Sequence, residues 1–184
     1  MTDHIIPIPK KISKLEGTAV LNPCVSTEVP GWEKFARTAA DGFSKIHFCD
    51  FSVGGEGGLV LEKDSALVPG SYTVSVDDRG AFVRGADDRG ICFGIATALQ
   101  LFEYDGKKAL FTSEKCFIED WADKEYRALM LDLVTAWHPL EKVLRMMDVC
   151  FFEKVPFVHL HLADNSAFRY PSKAFPDLAT PKYS

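Results

Sequence analysis

Through the first 120 residues the apolar positions come in short bursts. TAVL (18–21), GLVLE (58–62), SYTVSV (71–76) and AFVR (81–84) alternate apolar with polar side chains, the period of half-buried strands. Between the last two lies Asp77-Asp78-Arg79-Gly80, a turn composition that predicts a hairpin. Two other stretches repeat at the helical period. Residues 31–45 bring Trp32, Phe35, Ala36, Ala39 and Phe43 to one side, and residues 88–102 do the same with Ile91, Ile95, Ala98, Leu99 and Phe102, with Asp87 or Asp88 as N-cap. An antiparallel sheet with helices on one face makes an α+β domain, here assigned to residues 1–120. The glycines at 54, 55, 57 and 58 lead into a strand and not a helix, so they do not form a phosphate cradle.

After Asp120 the pattern changes. A long apolar run, YRALMLDLV (126–134), is followed by an amphipathic helix from Pro139 to Phe152 and a second run, PFVHLHLA (156–163). Near-continuous apolar strands on either side of a helix predict a parallel βαβ unit buried on both faces. Residues 165–184 are rich in Pro, Ser and aromatics and read as loop with at most a short helix. A parallel pair needs further strands and helices to cover its edges and faces, so the segment 121–184 reads as the cut-short opening of a larger fold. By itself it would expose apolar strands and self-associate.

Composition narrows the function classes. With 47% hydrophobic and 12% aromatic residues the chain is too apolar to be disordered. Its 21 basic and 26 acidic side chains leave a charge of -5, which excludes nucleic-acid binding by bulk charge. No stretch reaches the ~20 apolar residues of a membrane span, and the opening MTDHIIPIPKK is not a secretory leader. Cys24, Cys49, Cys92, Cys116 and Cys150 are odd in number, scattered and without a C-x-x-C pair, so they read as buried thiols. The missing disulfide pattern tilts the localisation towards a reducing, cytoplasmic compartment.

The stretches SYTVSVDDRGAFVRGADDRGICFGIATALQL (71–101) and YRALMLDLVTAWHPLEKVLRMMDVCFFEKVPFVHLHLADNSAFRYPSKAFPDL (126–178) resemble glycoside hydrolase family 20, the β-N-acetylhexosaminidases. The first is similar to the end of that family's small non-catalytic α+β domain. The second is similar to the opening of its (β/α)8 barrel, where the pattern runs R-G-x-x-L-D-x-x-R-H-x-x-P, a helix, then H-x-H-L-x-D-D. The likeness is close over residues 65–178 and loose over the first 60. It implies substrate-assisted retaining hydrolysis of terminal β-linked N-acetylhexosamines, in which the sugar's own acetamido oxygen attacks the anomeric carbon. No cofactor is implied, and the partners are N-acetylhexosamine glycans. The family's adjacent Asp-Glu pair follows its fourth barrel strand and is not among these 184 residues. The acid pairs present, Asp77-Asp78, Asp87-Asp88 and Glu119-Asp120, read as turn and cap residues.

Carried over residue by residue, the resemblance places Asp164 at the C-terminal end of the second barrel strand, in a network that orients the general acid. The alternative is a loop-capping Asp. His159 and His161 share a strand face and are expected to be structural, as are Arg127 and Asp132, in an ion-pair or hydrogen-bond framework on the first strand. The family Arg that grips the terminal sugar falls at Thr135, the His after it at Ala136, and the second acid of the D-D pair at Asn165. Trp137 or His138 would have to supply a replacement contact. Trp121, Phe168 and Tyr170 are either sugar-stacking or packing aromatics.

Three other readings stay open. His159-x-His161 followed by Asp164 offers imidazoles and a carboxylate to zinc. A non-catalytic carbohydrate-associated module with a degenerate form of this fold suits the missing acid pair and Thr135. An α+β domain with an accidental barrel likeness is the third.

Overall fold

The computed structural model describes residues 4–178, in two compact units, one extending to Asp123 and one starting at Lys124. In the first unit the strands are β1 (Lys11–Leu21), β2 (Cys24–Thr27), β3 (Ser52–Val53), β4 (Leu59–Lys63), β5 (Tyr72–Asp77), β6 (Gly80–Gly85), β7 (Glu103–Asp105) and β8 (Leu110–Asp120), with helices α1 (Glu33–His47) and α2 (Asp88–Leu101). They form one sheet in the order β1-β8-β5-β6-β4-β2-β3, with β7 paired to β8.

The sheet is mixed rather than wholly antiparallel. β1, β8, β5 and β6 pair antiparallel, whereas β6, β4, β2 and β3 run parallel. The physical reason is connectivity: α1 carries the chain from β2 back to β3 and β4, and a crossover helix returns the next strand in the same direction. The expected hairpin turn at Asp77–Gly80 joins β5 to β6. The burst at 18–21 is only the end of β1, whose earlier residues are mostly exposed and so carry no alternation. β2, β3, β7 and β8 were not among the expected strands.

Both helices lie on one face, packed on each other, with α2 against β5 and β6 and α1 against β2 and β3. Val25, Leu61, Val74, Val76, Val83, Ile91 and Ile95 are fully buried between them. Burying one such side chain stabilises the fold by about 1.5–3 kcal/mol. The approach of α2 to the sheet requires glycine: a Cβ on Gly94 would lie 2.3 Å from Val83 Cγ1, and one on Gly90 would lie 2.2 Å from the Ser71 carbonyl oxygen. Asp87 is the N-cap, accepting from the Gly90 amide at 2.8 Å while its other oxygen accepts from the Gly70 amide at 2.9 Å. A buried polar link crosses the unit. The Tyr72 hydroxyl donates to Asp120 Oδ2 at 2.7 Å and shares a hydrogen bond with Thr97 at 2.5 Å.

The second unit contains β9 (Ala128–Asp132), α3 (Leu140–Phe152) and β10 (Phe157–His161). β9 and β10 are parallel, with Ala128 opposite Phe157 and Asp132 opposite His161, and α3 packs against β10. Val143 and Cys150, seven positions apart, form the buried face of α3. The strands are not buried on both faces as the apolar runs suggest: Met130 is 56% and Phe157 40% exposed. Two strands and one helix supply too little surface to cover both sides. The tail contains a short 3-10 helix at Pro176–Leu178, and its remainder beyond that lies outside the described residues.

Candidate functional site

The chemistry-bearing residues of the second unit collect where β9 and β10 end. The Leu133 amide donates to the His161 carbonyl at 3.1 Å, so the ladder continues one step past the strands. There the chain turns around Asp132, whose Oδ1 accepts from the amides of Val134 at 2.8 Å and Thr135 at 3.0 Å. Its Oδ2 accepts from the Thr135 hydroxyl. These donors, the Thr135 hydroxyl first, hold the Asp132 carboxyl down at about 2, with a smaller contribution from His161.

Residues 162–169 close into a tight hairpin. Arg169 N donates to the Leu162 carbonyl at 2.7 Å, Ala163 bridges Phe168, and the Asp164 amide donates to the Ala167 carbonyl at 3.1 Å. Asp164 sits at the tip, where its Oδ1 accepts from the Ser166 amide at 2.6 Å and its Oδ2 lies 3.6 Å from His161 Nε2. The Ser166 amide is the main cause holding this carboxyl below its usual value, and His161 adds to it. Asp164 is thus both a loop cap and the partner of an imidazole. Asn165 accepts a 3.4 Å contact from Ser166 Oγ.

Arg169, which sequence reasoning passed over, ties the two loops together. Its Nε donates to the Leu133 carbonyl and its Nη2 to the Val134 carbonyl, both at 3.2 Å. A lone cation between Phe168 and Tyr170 in a tail read as loop was the only signal available.

Arg127 works at the other end of the strand pair. It donates to the Lys124 carbonyl and, at 2.7 Å, to the Lys154 carbonyl. Arg127 and Asp132 therefore brace opposite ends of β9. His159 is exposed beside Leu160, opposite Met130 in register. Thr135, Ala136 and His138 are exposed, and Trp137 is 57% exposed. Of the candidate aromatics, Phe168 is half-buried in its bridge, Tyr170 is exposed, and Trp121 lies under Lys11 Nζ at 5.2 Å.

The acid pairs of the first unit have structural partners. Asp77 binds Arg79 and Asp78 binds Lys115. Asp87 caps α2, and Asp88 accepts from Trp32 and Lys34. Glu119 pairs with Lys11, and Asp120 accepts from Tyr72. Among the described residues no three His, Cys, Asp or Glu side chains converge where they could hold an ion, so His159, His161 and Asp164 do not form the donor set that a zinc reading needs. Cys24, Cys116 and Cys150 are buried, while Cys49 and Cys92 are half-buried. Burial pushes the Cys92 and Cys116 thiols up to about 11, away from nucleophilic use.

Comparison with known proteins supplies the frame for this geometry. A profile described as glycosyl hydrolase family 20, domain 2, matches residues 2–121, and one described as glycosyl hydrolase family 20, catalytic domain, matches residues 125–183. The chain is 29% identical to a beta-hexosaminidase of Vibrio furnissii over 181 residues, covering 96% of this chain and 29% of that protein. It is 32% identical to beta-hexosaminidase subunit alpha of Bos taurus over 108 residues, covering 59% of this chain and 20% of the relative. The fold matches an exo beta-N-acetylglucosaminidase from Vibrio harveyi solved with N-acetylglucosamine, with a TM-score of 0.88 at 22% identity over 97% of this chain and 28% of that one. A beta-N-acetylhexosaminidase from Streptomyces coelicolor matches with a TM-score of 0.81 at 20% identity, over 97% of this chain and 38% of that one.

Proposed function

The chain belongs to glycoside hydrolase family 20, as the family's domain 2 followed by the opening of its catalytic barrel, and from that premise we propose that its residues are part of an exo-acting β-N-acetylhexosaminidase. The substrate class is a glycan ending in a β-linked N-acetylhexosamine. In the proposed reaction the acetamido oxygen of that sugar attacks its own anomeric carbon, a Glu protonates the leaving oxygen, and an adjacent Asp orients the acetamido group and offsets its developing positive charge. Water then opens the oxazolinium-like intermediate with retention. These 184 residues contain no Asp followed directly by Glu, so that pair must come from other polypeptide.

The observation that carries this reading is the gathering of Asp132, His161 and Asp164 at the C-terminal ends of two parallel strands, the end at which barrel active sites are built. Asp164 is assigned as a positioning residue. Its carboxylate is held ionised by loop amides and faces an imidazole, which suits it to orient the general acid rather than to transfer the proton. Arg127, Asp132, His159 and His161 are assigned as framework, and Arg169 joins them.

A second reading, a non-catalytic module of the same fold, is favoured by one feature. The Thr135 hydroxyl hydrogen is already donated to Asp132, so this position has no side-chain donor to offer a sugar. The discriminating experiment is hydrolysis of an aryl N-acetyl-β-glucosaminide by the protein expressed from the whole reading frame that encodes these residues. Turnover that falls at least tenfold in Asp164→Asn supports the enzyme, and no turnover supports the module. The 184 residues alone are expected to be inactive.

A further inference from the structure

The turn that follows β9 is gripped from two sides. The Leu133 carbonyl accepts from Arg169 Nε at 3.2 Å, and the N–H of the same peptide group, on Val134, donates to Asp132 Oδ1 at 2.8 Å. The Val134 carbonyl accepts from Arg169 Nη2 at 3.2 Å, and the N–H of that peptide group, on Thr135, donates to Asp132 Oδ1 at 3.0 Å. Two successive peptide groups thus lie with their oxygens toward a guanidinium and their N–H groups toward a carboxylate. Both charges favour that orientation, and bonds to ionised groups are about twice as strong as neutral ones. Val134, at the centre of the turn, is also buried.

The guanidinium comes from the other loop. The Arg169 amide donates to the Leu162 carbonyl at 2.7 Å, at the base of the hairpin whose tip is Asp164. From there the side chain reaches acceptors 35 and 36 positions earlier in the chain. The Asp164 carboxylate touches Ser166, Ala167 and His161, all of its own hairpin and strand, so those contacts do not fix the hairpin against the β9 turn. Arg169 makes that link. A planar fork lets one side chain hold two neighbouring carbonyls, which the point charge of a lysine does not match.

We infer that Arg169 is a positioning residue: it holds the Asp164 hairpin against the Asp132–Thr135 turn, so that the Asp164 carboxylate is presented to the general acid in one place. The consequence for hydrolysis rests on the functional reading above, whereas the clamp rests on its hydrogen bonds alone. A group misplaced by about 1 Å can lose on the order of 100-fold in rate, so a loosened hairpin should show in turnover.

The test has two parts. In the protein expressed from the whole reading frame, Arg169→Gln should lower kcat at least about tenfold with KM within about twofold, and Arg169→Lys should recover part of the loss. Adding Asp164→Asn to Arg169→Gln should cost less than Asp164→Asn costs alone, because both act through one carboxylate. Additive losses, a loss confined to KM, or an unchanged kcat overturns the positioning role. The second part reads the clamp without catalysis, by NMR of the 184-residue chain. Arg169→Lys, which keeps the charge and the stem, should shift the Val134 and Thr135 amides and move the Asp132 titration up from about 2, with the amides of α3 unmoved. Turn amides and an Asp132 titration identical to wild type overturn the clamp. A wild-type protein that shows the clamp and hydrolyses nothing overturns the functional reading, and with it the role in turnover, but not the clamp.

Discussion

The two units divide burial and chemistry unequally. The first buries Tyr72, Phe43, Phe111, Leu61, Ile91 and Ile95 to 1% exposure or less beneath two helices. In the second, Val134, Val143 and Cys150 are the buried apolar side chains among the described residues, while Leu140, Leu144, Met130 and Phe157 stand open. Yet it is the second unit whose two strand ends gather Asp132, His161 and Asp164. The first unit therefore has a buried core, whereas the second carries a site whose geometry depends on loop hydrogen bonds: the Asp132 turn, the Asp164 hairpin and the two Arg169 donors. Those bonds are exposed or only partly buried, so each is weak compared with a buried aliphatic side chain.

Mutation of matched side chains makes that contrast quantitative. Leu61→Ala, fully buried, should cost about 2–5 kcal/mol in chemical denaturation. Leu144→Ala, 51% exposed on α3, should stay within about 0.5 kcal/mol. Comparable losses at both sites would mean that the second unit has a core of its own. Tyr72→Phe comes next. It leaves Asp120 and Thr97 without their shared buried partner and should cost about 1–3 kcal/mol. Asp87→Ala removes both the cap of α2 and the Gly70 contact, for about 1 kcal/mol. A hydrophobic dye should bind the wild-type chain, and truncating Met130 and Phe157 together should reduce that signal.

What could be read from the sequence follows the same division. Helix α1 was legible because it buries one stripe, and a stripe has a period; α2 and β5 are buried on nearly every side, and were legible through the apolar spacing of their sequences and the turn composition at Asp77–Gly80. β8 escaped because its eleven residues mix buried Phe111, Cys116 and Ile118 with half-buried polar side chains, and the one signal before it was the Asp105-Gly106 dipeptide of the turn from β7. The parallel half of the sheet escaped because strand direction is set by the crossover through α1, which a local pattern does not encode. Asp164 and Asp132 were legible through the family pattern. Arg169 was not, because its partners are the Leu133 and Val134 carbonyls, more than thirty residues away, and backbone acceptors leave no mark in a sequence.

The smallest expected effect separates the units by pH. In the first, His47 stacks on Phe43 at 6.0 Å and meets the edge of Phe111 at 5.0 Å, and burial lowers its pKa below the usual 6.5. Folding thus favours the neutral ring, so its contribution is complete above the unfolded value and is lost as pH falls through the folded one. In the second unit Asp132 is held at about 2 against a usual 3.8, so its contribution is present above 3.8 and is lost as pH falls through about 2. Acid should therefore weaken the first unit before the second. Buried Trp32 and exposed Trp137, each followed by fluorescence as the sole tryptophan, report the two separately. Thr135→Val removes the first-ranked donor to Asp132 while keeping the side chain's shape. Carboxyl-carbon NMR should then show the Asp132 titration moving up towards 3.8, with the Trp32 transition unchanged. If Asp132 still titrates near 2 in that variant, the backbone amides alone hold it, and the Thr135 hydroxyl is free for another partner. The case for a non-catalytic module would then lose its one structural support.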